Sequence, residues 1–148
     1  MAVLLLCEDN PRIRRAVSAG LQGSGHTLLS AADGATGLDL ARRNRVDLVI
    51  TDITMPVMDG FELCEALHSR PETSTLPVLL LTAGASATVR RYAAMHAGVD
   101  YLPKPYHLTD LVERIDTLLR APRTQRGGRR ATSSRVDTPT SSAAAETR

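Results

Sequence analysis

The sequence predicts an α/β fold: a doubly wound, five-stranded parallel sheet with helices on both faces. Three observations lead there. The apolar runs AVLLLC (2–7), VDLVIT (46–51) and PVLLL (77–81) have the length and composition of strands buried on both faces. Segments of helical length separate them, which requires parallel strands joined by right-handed crossovers. Polar residues stand where the runs end, at the edge where open parallel sheets hold their ligands.

Taken in order, the first strand closes at Cys7 and is followed at once by Glu8, Asp9 and Asn10. Pro11 is a favoured first helical residue after an Asn or Asp cap. Ile13, Val17 and Leu21 continue at helical spacing, and Gly23 and Gly25 stop the helix. A short strand follows at 26–31. Asp33-Gly34 opens a helix with Leu38 and Ala41 inward and Arg42, Arg43 and Arg45 outward. The third strand ends on Asp52, and Met55-Pro56 and Asp59-Gly60 read as a loop and a helix cap. That helix carries Phe61, Cys64 and Leu67 on one face. Residues 71–76 read as a loop and 77–81 as a strand ending on Thr82. Residues 83–86 turn into a helix near 87–97, and a strand at 99–102 ends in Pro103-Lys104-Pro105. Tyr106 and His107 open the last helix, whose stripe is Leu108, Leu111, Val112, Ile115, Leu118 and Leu119.

The chain has 148 residues, 43% hydrophobic and 23% charged, ordinary values for one globular domain. Its net charge of +2 is unevenly spread. Residues 1–120 hold 12 basic and 14 acidic side chains, a net of −2, while 121–148 hold six Arg against Asp137 and Glu146, a net of +4. The domain is expected at 1–120. Residues 121–148, in which Val136 is the only larger aliphatic, are expected to be a disordered tail rich in Arg, Ser, Thr and Ala. The RGGRR stretch there lacks interleaved aromatics, so a solvated tail is favoured over a nucleic-acid contact. Cys7 and Cys64 suit a reducing compartment and a core position. No leader pattern opens the chain and no apolar run has membrane-spanning length, so a cytoplasmic location and no membrane partner are expected. His26, His68 and His96 show no metal-ligand spacing and read as surface or packing residues.

The chemistry gathers at the strand ends. Glu8 and Asp9 follow the first strand, Asp52 the third, Thr82 the fourth and Lys104 the fifth. In a parallel sheet these ends share one edge, so the groups converge. Three carboxylates together repel unless a cation or proton intervenes. Few ligands, all oxygen, suit Mg²⁺, which keeps waters and shares its shell with phosphate. Lys104 is the chain's only lysine, a mobile point charge for a phosphoryl group, and Thr82 offers a hydroxyl to the same oxygens. The set fits phosphoryl transfer by positioning and charge neutralisation. Taken alone, Asp52 could equally be an acid capping a turn.

The pattern Glu8-Asp9, Asp52 in DITMPVMDG, Thr82-Ala83 and Lys104-Pro105 resembles the receiver domain of bacterial response regulators, over residues 2–120. The resemblance implies a flavodoxin-like (βα)5 fold with strand order 2-1-3-4-5. It implies that Asp52 takes a phosphoryl group from a histidine kinase or a histidine phosphotransfer protein. Asp9, Asp52 and the backbone carbonyl of Thr54 would ligate Mg²⁺, with Glu8 acting through water. Lys104 would hold the phosphoryl oxygens, Thr82 would close on them in the active state, and Tyr101 would be the switch aromatic. Lys104-Pro105 would be cis. Thr54 and Gly84 occupy the variable positions that help set the acyl-phosphate lifetime. The protein would be a phosphoacceptor rather than an enzyme, signalling to a protein target or a second copy through residues 87–119.

Two alternatives stay in view. An aspartyl-phosphate hydrolase of the haloacid-dehalogenase type also uses an Asp nucleophile and Mg²⁺. It wants a second Asp two residues on, where this chain has Thr54. A DNA-binding regulator would need an output domain beyond residue 120, of which this chain would be the receiver fragment.

Overall fold

The computed structural model describes residues 1–84 and 86–123. The chain alternates strictly between strands and helices: β1 (Val3–Cys7), α1 (Pro11–Gly23), β2 (Thr27–Ala31), α2 (Gly34–Arg43), β3 (Leu48–Asp52), α3 (Gly60–His68), β4 (Val78–Thr82), α4 (Ala87–Met95), β5 (Val99–Pro103) and α5 (Leu108–Arg120). All pairings are parallel, in the order β2-β1-β3-β4-β5. The predicted α/β class, doubly wound sheet and strand order are therefore present.

Side chains alternate across a strand, and the apolar strands fill two cores. Leu4, Leu6, Leu48, Ile50, Leu79 and Leu81 pack with Leu21 of α1 and with Leu111 and Ile115 of α5. Leu5, Cys7, Val49, Val78 and Leu80 face the other way, against Ala41 of α2 and Leu63, Cys64 and Leu67 of α3. β3 and β4 are buried at every position, which is why they read as unbroken apolar runs.

Local signals set the helix starts. Asn10 Oδ1 accepts from the amides of Arg12 and Ile13 ahead of Pro11. Asp33 caps α2 through Thr36 N, and Asp59 and Glu62 form a reciprocal capping box on α3. Ser86 caps α4 through Val89 N.

Some expectations shift. Ile13, first of the helically spaced apolar residues of α1, is 40% exposed, in a first turn that begins four residues beyond β1. Leu108, expected in the α5 stripe, is 46% exposed and lies against Gly20 of α1, where a Cβ would come within 2.8 Å of it. The 71–76 loop contains a 3-10 turn at Pro71–Thr73, and His68 is buried beneath it, its Nε2 3.0 Å from the carbonyl oxygen of Leu76. Asp52 and Thr82 are the last residues of β3 and β4, as expected, and β5 runs one residue further than expected, to Pro103. No helix among the described residues is long and apolar enough to cross a membrane.

The expected tail lies outside the described residues from position 124 onward. Ala121, Pro122 and Arg123 are described, and Arg123 donates from Nε to the carbonyl oxygen and Oγ1 of Thr75, both at 3.2 Å.

Candidate functional site

Parallel pairing aligns the ends of β1, β3, β4 and β5 on one edge, in the register Cys7↔Thr51, Asp52↔Leu81 and Thr82↔Pro103. The consequence is a cluster that no short stretch of sequence contains. Glu8, Asp9 and Asp52 each present a carboxylate oxygen, all within 4.8 Å of one another. Lys104, one residue past β5, places Nζ 2.5 Å from Asp52 Oδ1. Its own amide donates to the carbonyl of Thr82 at 2.7 Å, tying the β5 exit to the end of β4. The Lys104–Pro105 peptide is cis, as the resemblance implies.

Burial grades the carboxylates. Glu8 is 2% exposed and Asp52 9%, while Asp9 is exposed. Glu8 Oε2 accepts from Asn10 N at 3.0 Å. Its Oε1 is buried with no hydrogen-bond partner among the described residues. Burial pushes the Glu8 carboxyl above its ordinary range, and the charge of Asp52 adds to this against the Asn10 amide and Lys104. A buried acceptor left unpaired beside two further carboxylates is the donor set a hard divalent cation takes.

The loop after β3 is shaped around this cluster. Met55 is buried as its anchor, and Ile53 N donates to Leu81 O at 3.2 Å. Gly60 N donates to Ile53 O at 2.7 Å, and a Cβ on Gly60 would come within 2.6 Å of Asp52 O, so only glycine allows the α3 start to close on β3. Val57 adopts the left-handed region at φ 71° and is 81% exposed. Thr54 is exposed at the lip. A cavity of about 250 Å³ opens beside Asp52, lined among others by Thr54, Phe61, Thr82, Thr88 and Lys104.

Thr82 lines that cavity, but its hydroxyl donates to Gly84 O at 2.7 Å, so it faces its own loop rather than Asp52. Tyr101 is apart from the site. It sits half-buried on β5 against the α2–α3 core, its carbonyl held by Arg114 Nη1 at 2.5 Å. Two residues without a role in the sequence reading belong to the surroundings. Arg14 Nη1 donates to Glu8 O at 2.7 Å. The half-buried Tyr106 has its phenol pushed upward by burial and then by the charges of Glu8 and Asp52. Arg14 lies one helical turn above the Asn10 cap, a position from which an Arg reaches back to the strand end. The strand order alone brings Tyr106 to the carboxylates.

Sheet order and strand-end groups together define a flavodoxin-like receiver domain of two-component signalling. The chain belongs to the response regulator receiver domain family, whose family model matches residues 4–116. It is 40% identical over 118 residues to the response regulator MprA of Mycobacterium sp. strain KMS, covering 79% of this chain and 50% of that one. It is 41% identical over 123 residues to the transcriptional activator protein PfeR of Pseudomonas aeruginosa, covering 83% of this chain and 39% of that one. The chain thus spans about half or less of the curated relatives it matches. Among solved structures, chemotaxis protein CheY4 of Vibrio cholerae aligns at TM-score 0.73 and 33% identity, over 80% of this chain and 98% of that one. The receiver domain of sensor histidine kinase PA1611 of Pseudomonas aeruginosa, which has a magnesium ion coordinated in its active site cleft, aligns at TM-score 0.73 and 29% identity, over 81% and 98%.

Proposed function

We propose that this receiver accepts a phosphoryl group on Asp52 from the phosphohistidine of a histidine kinase or histidine phosphotransfer protein. The observation that carries this is the convergence of Glu8, Asp9 and Asp52 within 4.8 Å, with Lys104 on the Asp52 carboxylate at 2.5 Å. An Asp52 oxygen forms the bond to phosphorus as the nitrogen–phosphorus bond of the donor breaks, and that electron pair leaves on the donor imidazole. The Lys104 ammonium, its charge unchanged, shifts its contact from the Asp52 carboxylate to the incoming phosphoryl oxygens. Asp9, Asp52 and the Thr54 carbonyl would hold Mg²⁺, with Glu8 reaching it through water. That ion supplies charge neutralisation and in-line alignment when bound. The chain's residues assist both gain and loss of the phosphoryl group, so the protein acts as a phosphoacceptor rather than as an enzyme on another substrate.

The output follows from the same site. Phosphorylation adds nearly two negative charges and three acceptor oxygens. Thr82 satisfies one oxygen by leaving Gly84 O, and Tyr101 turns inward into the space vacated. The altered face is 87–119, which engages a downstream protein or a second copy in the cytoplasm. Membership of the receiver family, with Thr54 in place of a second Asp, favours this reading over the hydrolase. A second reading has its own support: the chain matches half of MprA and less of PfeR, so it is also consistent with the receiver portion of a DNA-binding regulator.

The test is labelling with acetyl phosphate and Mg²⁺. One acid-stable, base-labile phosphoryl group is expected on the protein and none on Asp52→Asn. Equal labelling of the two would remove Asp52 from this role.

A further inference from the structure

Helix α4 is loosely seated. Of its nine residues only Val89 is fully buried, with Tyr92 and Ala93 half-buried, whereas α3 buries five of its nine. Its far end is joined laterally to α3 by a compact polar-aromatic group that the phosphoryl site does not use. The Tyr92 ring lies between Phe61 and His96, at 4.8 Å with a 57° tilt to the first and stacked at 4.0 Å and 16° on the second. Tyr92 Oη donates to Glu65 Oε2 of α3 at 2.6 Å, and His96 Nε2 stands 3.6 Å from that same oxygen. His96 Nδ1 lies 2.8 Å from Tyr92 O, so the imidazole also closes the C-terminal turn of α4.

We propose that Glu65, Tyr92 and His96 form a latch that ties α4 to α3 in the unphosphorylated protein and sets how readily α4 rearranges. A phenol-to-carboxylate bond is charge-assisted and directional; the Glu65 side chain is 65% exposed, and the Phe61 and His96 rings beside Tyr92 fix where the phenol stands. Burial, then the nearby Cys64 and Glu65, push the Tyr92 phenol upward, which keeps it a donor at every physiological pH. Val89 anchors the N-terminal half of α4 in the core, so opening the latch frees the C-terminal half first. A helix held laterally by one small group of contacts is biased by modest changes in them. Its consequence for signalling rests on the reading of Asp52 as phosphoacceptor, but the latch itself is present and measurable without phosphorylation.

Amide hydrogen exchange on the unphosphorylated full chain tests it, comparing wild type, Tyr92→Phe, Glu65→Ala and the double variant. Tyr92→Phe keeps the ring stack and removes only the hydroxyl. Each single variant should speed exchange across 87–96 by about threefold to tenfold, the double variant no more than either, with α1 and α5 unchanged. Unchanged exchange in α4, a uniform increase in all helices, or additive single effects would each overturn the latch. With acetyl phosphate, both variants should label at Asp52 faster than wild type. Altered α4 exchange without any labelling of wild type would sink the phosphoacceptor reading and leave the latch standing.

Discussion

Lys104, the only lysine of the chain, places Nζ 2.5 Å from Asp52 Oδ1 across 52 residues of sequence. The contact joins the end of β5 to the end of β3 over the intervening β4, and it sets an ammonium group against one of the three clustered carboxylates. A cation so placed weakens the repulsion within the cluster.

Lys104→Ala should therefore slow acetyl phosphate labelling of Asp52 by about 10²-fold, the usual scale for removing one charge-stabilising donor. Mg²⁺ affinity, read by calorimetry, should hold or rise, because a competing cation has gone. Loss of Mg²⁺ binding would show Lys104 to be structural instead.

Glu8→Gln should stabilise the metal-free protein by about 1 kcal/mol, since a buried ionised carboxyl is exchanged for a neutral amide that still accepts from Asn10 N. Because folding raises the Glu8 pKa, the wild-type penalty is absent below the ordinary carboxylate range. It grows as pH rises toward the folded value and is complete above it. Thermal melts with chelator at acidic and neutral pH should converge in acid and separate at neutrality. The same substitution should weaken Mg²⁺ binding.

Thr82→Ala should accept phosphate yet fail to relay it. In the proposed switch the hydroxyl now bonded to Gly84 O is the group that would turn. Amide chemical shifts with and without beryllofluoride should change around Asp52 in both proteins and across 87–119 in wild type alone. Matching shifts across 87–119 in the variant would remove Thr82 from the switch.

Val57→Gly should raise stability by about 1 kcal/mol, the relief of a β-branched residue at φ 71° less the added chain entropy of glycine. Val57 is 81% exposed, so little packing is lost. A urea midpoint equal to or below wild type would refute the strain.

The strands and their terminal carboxylates were legible because burial on both faces leaves an apolar run that only a polar strand end interrupts, as at Ile50-Thr51-Asp52. The convergence of Glu8, Asp9, Asp52, Thr82 and Lys104 followed from parallel topology, which needs no side-chain detail. What stayed hidden depends on atoms distant in sequence. Helical spacing groups Ile13 with Val17 and Leu21, but where α1 begins relative to the sheet decides its exposure. The direction of the Thr82 hydroxyl depends on the Gly84 carbonyl, and the approach of Tyr106 to Glu8 on how β5 stands to β1. The bond from Tyr92 to Glu65 spans two helices whose hydrophobic patterns carry no sign of it.

The alternation along β1, β3 and β4 has a mechanical consequence. Leu4, Leu6, Leu48, Ile50, Leu79 and Leu81 serve one side, and Leu5, Cys7, Val49, Val78 and Leu80 the other. The backbone ladder between them is a partition that no side chain crosses. α4 meets the second side through Tyr92 and Ala93, whereas α1 and α5 pack on the first. Both α4 and α5 touch β5, so a movement on one side of the wall is felt on the other through that strand.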